Sequence, residues 1–162
     1  MRKFEKISYD EFCKIFGDNK ELYDNIILPT RSTKNSAGYD IRSLDEIVIK
    51  PNDSKVIRTG IKCSMNSDEV LLIFDRSSLG FKYDVFLSNN VGVIDSDYYN
   101  NSDNEGHICI KLINLGTSDF VINVNDRIAQ GIFIKYLTTD NEVEIKNERN
   151  GGFGSTNNKE MN

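Results

Sequence analysis

The feature that most limits what this chain can fold into is its rhythm after Pro29: short β-rich runs cut by turn-forming clusters, with almost no helical pattern between them. The runs are 47–49 (IVI), 70–74 (VLLIF), 108–113 (ICIKLI), 120–124 (FVINV) and 128–136 (IAQGIFIKY). They are rich in β-branched and aromatic residues, and Gly, Asn, Asp and Ser fill the gaps. Without helices to carry crossovers, successive strands pair antiparallel, so the expected fold class is all-β: a sandwich, a β-barrel or a jelly roll.

The two ends depart from this rhythm. Ser8 and Glu11 have the spacing of a capping box, Phe12, Ile15 and Phe16 share one helical face, and Gly17 can end the helix. Residues 1–24 therefore read as a helical extension that docks on the β-rich part. From 147 to 162 the chain is glycine-rich and polar, with Phe153 its one aromatic. Such a stretch buries too little apolar surface to order itself, so a flexible arm is expected there. With 162 residues, 38 % of them hydrophobic, the chain suffices for one core, and a single domain over 1–162 is expected. The run 100–106 (NNSDNEG) reads as an exposed loop.

Charge and cysteines narrow the chemistry. A formal net charge of −5 argues against a nonspecific grip on nucleic acid, whose affinity comes largely from cationic side chains. Cys13, Cys63 and Cys109 are an odd number at unpatterned spacings, as in a reduced cytosolic protein, and with His107 the lone histidine a zinc site is not expected. The charged start MRKFEKISYDEF lacks the apolar run of a signal peptide, and no stretch is apolar for long enough to span a bilayer. The expectation is a cytoplasmic protein that binds neither membrane nor nucleic acid.

Five segments mix glycine, charge and hydroxyls where a plain strand would not: 36–40 (SAGYD), 75–80 (DRSSLG), 89–98 (NNVGVIDSDY), 126–130 (DRIAQ) and 149–156 (RNGGFGST). Arg76, Ser77 and Ser78 offer a guanidinium, two hydroxyls and successive N–H groups, a donor set suited to phosphate, although a strand-to-turn junction accounts for them equally well. In 92–98, two apolar residues precede Asp95, so this acid can leave a packed strand with a fixed aim, as a general base requires; a solvated turn is the plainer reading. Arg149 and Phe153 could hold phosphate and stack on a base, or belong to a frayed terminus. Asp126 with Arg127 fits a β-turn ion pair, and 36–40 fits a turn with Asp40 bonded locally.

Taken together, in this order and at these separations, the five segments resemble the five motifs of the trimeric dUTPase family, from about Ser36 to Thr156. The resemblance implies a β-barrel or jelly-roll-like subunit, a homotrimer with active sites shared between copies, and Mg2+-dependent hydrolysis of dUTP to dUMP and pyrophosphate. It implies Asp95 as the base that activates water and Tyr98 as the residue packed under the deoxyribose, where a 2′-hydroxyl would clash. Asn89 and the backbone of the 89–95 hairpin, including Gly92, Val93 and Ile94, would read the uracil edge. Arg76, Ser77 and Ser78 with Gln130 would hold the phosphates, and Asp40 would hold a water of the magnesium shell. Phe153 would stack on uracil, with Gly154 beside it, while Arg149, Ser155 and Thr156 would clamp the terminal phosphate. The chain departs from the family pattern in a fifth motif one residue shorter around Arg149 and in the longer 99–106 loop, a candidate surface for a regulatory protein partner. The related dCTP deaminases share the implied fold and are the rival reading.

Overall fold

The computed structural model describes residues 1–143, so the expectations for Arg149, Phe153, Gly154, Ser155 and Thr156 lie outside the described residues. The first part of the chain forms β1 (Lys3–Lys6), α1 (Tyr9–Phe16), α2 (Lys20–Asp24), β2 (Thr30–Arg31), β3 (Tyr39–Arg42) and β4 (Ile47–Ile49). β5 (Ser54–Arg58), β6 (Ile61–Ser64), β7 (Glu69–Phe74), α3 (Ser77–Tyr83), β8 (Val85–Leu87) and β9 (Gly92–Asp95) follow. After a 3-10 turn over Ser96–Tyr98 come β10 (Cys109–Asn114), β11 (Phe120–Ile122) and β12 (Arg127–Lys135).

The main sheet runs β2-β3-β12-β7-β9, and a second runs β5-β10-β8; β1 pairs with β6, and β11 with β4. All these pairings are antiparallel. The side chains that alternate inward meet in one apolar cluster, in which Ile41, Leu71 and Ile73 of the main sheet join Ile57, Ile110 and Leu112 of the second. Strands with few short helices give an all-β, jelly-roll-like fold, as the turn rhythm implied.

The N-terminal helix forms as its spacing predicts, with a change of partner at the cap. Ser8 Oγ accepts from Glu11 N at 3.1 Å, and the Gly17 N–H closes the last turn on Cys13 O. The Glu11 carboxylate does not return to Ser8; it pairs with Lys14 at 2.7 Å, and the Ser8 N–H is taken instead by Glu105 Oε2 at 2.9 Å. The helix is docked through Phe12, which is fully buried beside Ile7. Residues 1–24 are also more than helical. The charged KFEK segment adds strand β1, whose Phe4 ring packs near those of Tyr39 and Phe133.

Two further local expectations change. The DRSSLG segment leads into a short helix rather than a strand-to-turn junction, because Asp84 adopts a left-handed C-cap that closes the turn. The 100–106 run is exposed at Asn100, Ser102 and Asp103; Asn101, at 8 %, is buried. Asn100 and Glu105 take positive φ values of 56° and 57°, which folds the run back on itself so that its polar groups bond internally.

Candidate active site

The antiparallel register of β3 and β12 sets Asp40 opposite Gln130, and Gln130 in turn lies opposite Phe74 at the end of β7. The chain leaving β7 carries Asp75 and Arg76, so segments 36–40, 75–80 and 126–130 meet at one end of the main sheet. Asp40 Oδ1 accepts from Arg76 Nε at 3.1 Å, while Oδ2 accepts from Arg127 Nη1 at 3.1 Å and from Ser32 Oγ at 2.6 Å. Burial alone would push the Asp40 pKa up, but the Ser32 hydroxyl and the Arg127 and Arg76 guanidiniums outweigh it and hold the carboxyl below the usual aspartate range.

One carboxylate faces two guanidiniums here, whose remaining N–H donors suit an anion. Ser77 and Ser78 open α3 beside it, and the first N–H groups of a helix have no partner within the helix. Gln130 Nε2 donates to Asp75 O at 2.8 Å, laying its amide along the chain. Gly38 makes that position possible: a Cβ there would stand 2.4 Å from Gln130 Oε1. Ser32 and Arg127 are the members that sequence reasoning missed. Arg127 sits in a segment already singled out, but 87 residues separate it from the acid it holds.

The 89–98 segment builds a different feature. β9 lies on the edge of β7, and between it and the second sheet opens a cavity of about 510 Å³. Ile73, Ile108 and Ile110 give it apolar walls, Asn89 and Gly92 stand in its lining, and Tyr98 lines it as a buried ring with 6 % exposure. Val93 and Ile94 line it too, so the segment surrounds one hollow of the size that takes a small organic ligand. Asn90 turns the chain between β8 and β9 with a φ of 61°. Asp95 ends β9 opposite Val70 and is half-buried.

These two features do not merge within one chain. Gln130 faces Phe74 and Asp95 faces Val70, on the same face of the main sheet but four residues apart along β7 and on opposite sides of it. At strand spacings this puts their backbones roughly 16 Å apart, too far for both side chains to touch one phosphate group. Within one chain the corner and Asp95 are therefore separate features of the main sheet.

A divalent cation would find no ready set of protein ligands. Among the described residues no three His, Cys, Asp or Glu side chains cluster to hold one, and Asp40 already accepts from three donors. This donor set fits an ion that arrives on a polyphosphate and meets the protein through water, and it does not fit a metal bound directly.

The chain was compared with known proteins. A family model described as dUTPase matches residues 24–157. The deoxyuridine 5′-triphosphate nucleotidohydrolase of Lactococcus lactis is 47 % identical over 132 residues, 81 % of this chain and 88 % of that protein. The crystal structure of dUTPase from Streptococcus mutans superposes with a TM-score of 0.70 at 37 % identity, covering 85 % of this chain and 98 % of that one. A dUTPase of phage phi11 of S. aureus, whose structure holds a structural Mg(II) ion, shares the fold at a TM-score of 0.67 and 20 % identity, covering 91 % of this chain and 97 % of that one. Among the described residues no helix is long and apolar enough to cross a membrane. With a family model that spans most of its length and a relative 47 % identical over 132 residues, the chain belongs to the dUTPase family.

Proposed function

We propose that the protein hydrolyses dUTP to dUMP and pyrophosphate in a site shared between copies of a homotrimer. The observation that carries this reading is the pair of features just described: a nucleoside-sized cavity next to Asp95, and a corner with two guanidiniums at the far end of the same sheet face. Uracil and deoxyribose occupy the cavity, with Asn89 and the backbone of Gly92, Val93 and Ile94 at the base edge and the Tyr98 ring under the sugar. A ribose 2′-hydroxyl would meet that ring, which favours the deoxy substrate.

Asp95 accepts a proton from a water whose oxygen bonds to the α-phosphorus; the bond from that phosphorus to the bridging oxygen breaks, and pyrophosphate leaves. Arg76, Ser77, Ser78 and Gln130 of a neighbouring copy hold the phosphate chain. Magnesium, bound to the phosphates, supplies neutralisation of the charge that builds on the leaving group. Asp40 then has two roles: it aligns Arg76, and its remaining acceptor capacity holds a water of the metal shell. In this reading Arg149, Phe153, Gly154, Ser155 and Thr156 close over the nucleotide, and the reaction runs in the cytoplasm.

Pyrophosphate release measured side by side on dUTP, dTTP, dCTP and UTP tests the reading: dUTP alone should turn over rapidly. Asp95→Asn should lower turnover by about 10²–10⁴-fold or more with the fold retained. Wild-type turnover in that variant would remove Asp95 as the base, and ammonia release from dCTP would reassign the protein to the deaminases.

A further inference from the structure

The bonds of the loop from Asn100 to Gly106 converge on one residue of the cavity wall, Tyr98. Asn101 Oδ1 accepts from Asp103 N at 3.0 Å and from Asn104 N at 3.1 Å. That fixes the direction of its amide, whose Nδ2 donates to Tyr98 O at 2.7 Å and to Asn104 Oδ1 at 2.9 Å. Asn104 Oδ1 also accepts from Gly106 N at 3.0 Å, so the oxygen must face the loop and the nitrogen must face outward. The outward nitrogen donates to the Tyr98 phenol oxygen at 2.9 Å, and the phenol in turn donates to His107 O at 3.0 Å.

Tyr98 is thereby gripped at both ends. Its phenol oxygen has a donor and an acceptor, and its carbonyl accepts from the Asn101 side chain and backbone N–H groups. Gly106 closes the grip: with a φ of 82° it passes so near that a Cβ would stand 2.5 Å from Tyr98 O. The loop is itself seated through Glu105 on Ser8 of the N-terminal extension and on Lys62 of β6, and the preceding Tyr99 hydroxyl bonds Glu5 of β1. A ring that screens a sugar by shape discriminates only as well as it is held, because a tilt would open room for one more oxygen.

Building on the proposed dUTP hydrolysis, we propose that Asn104 is a positioning residue for sugar selectivity: its amide locks the Tyr98 phenol so that the ring rejects a ribose 2′-hydroxyl. Asn104→Ala removes the donor and the loop acceptor together. Asn104→Asp keeps an oxygen for the Gly106 N–H but has no donor for the phenol. Tyr98→Phe removes the hydroxyl and keeps the ring.

The test measures kcat/KM on dUTP and on UTP for the full-length wild type and these three variants, with thermal melts run alongside. All three should lower the dUTP-to-UTP ratio, by roughly threefold to tenfold for loss of one partly buried hydrogen bond, and Asn104→Asp should melt closer to wild type than Asn104→Ala. Should Asn104→Ala fail to fold, Asn104→Asp and Tyr98→Phe carry the same comparison. A parallel fall on both substrates, or an unchanged ratio in the folded variants, overturns the role of Asn104 and leaves the dUTP reading standing. A wild type inert toward dUTP overturns that reading first.

Discussion

Arg127→Met keeps an unbranched apolar stem and removes one of the two guanidiniums on Asp40. The Asp40 side chain is 12 % exposed and that of Arg127 41 % exposed, so the pair is intermediate between a surface and an interior ion pair. Surface pairs contribute about 0–1 kcal/mol, whereas removing the partner of a fully buried charge costs about 3–5 kcal/mol. Arg76 remains at 3.1 Å and Ser32 at 2.6 Å, so the carboxylate is not orphaned. The loss should therefore be about 1–2 kcal/mol, discounted for the solvent around Arg127. It also carries a pH signature. Asp40 titrates below its usual value of 3.8 in the folded chain. At pH 7 it is ionised in both states and the pairing contributes in full; as the pH falls below about 4, the unfolded chain takes up the proton first and the contribution fades. Urea melts of wild type and variant, at one fixed protein concentration, should differ by about 1–2 kcal/mol at pH 7 and by clearly less at pH 3. An equal gap at both pH values, or none at pH 7, refutes the reasoning.

Gly38→Ala should drive the Gln130 amide off Asp75 O, because its Cβ would overlap Gln130 Oε1; turnover should fall at least about tenfold with little change in melting temperature, and unchanged kinetics would show that Gln130 has no part in the site. Phe12→Ala should destabilise the fold by about 3–5 kcal/mol, read from denaturant midpoints, since the ring is fully buried among Tyr9, Phe16 and Tyr23. His107 should stay neutral until about pH 4, because burial lowers its pKa and the nearby Arg58 adds to this, against the pull of Glu11 and Asp45. The unfolded chain then binds the extra proton between pH 6.5 and 4, so this residue's contribution is whole above 6.5 and is lost as the pH falls towards 4. The imidazole proton resonances of this single histidine check it directly, and a midpoint near 6.5 in the folded protein would contradict the burial argument.

How much could be read in advance depended on how local the determining contacts are. Ser8 and Gly17 act within one or two helical turns, so the helix they bound was legible, and so were the strands in which Leu71 and Ile73, or Ile110 and Leu112, face the core. Strand β1 was not, because nothing in KFEK marks a strand until Phe4 meets Tyr39 and Phe133 from distant parts of the chain. The short helix after Arg76 was hidden by Gly80 and by a cap set through the backbone of Asp84. At the site, the motif residues were legible by type and order, but the pairing of Asp40 with Arg127 and Ser32 depends on strand register, as does the distance between Gln130 and Asp95. The 100–106 loop looked like a solvated insertion because asparagine is common in such loops; only the direction of each amide reveals that Tyr98 is its target.

On the proposed shared-site reading, the spacing along β7 ties the chemistry to copy number. A chain whose proposed base and phosphate donors lie on opposite sides of one strand would then be silent when alone, however well folded. In a cell making few copies, output would thus climb more steeply than the amount of polypeptide. A damaged subunit would take with it the half-sites it lends to its neighbours, so partial loss of good chains would be felt out of proportion to their number.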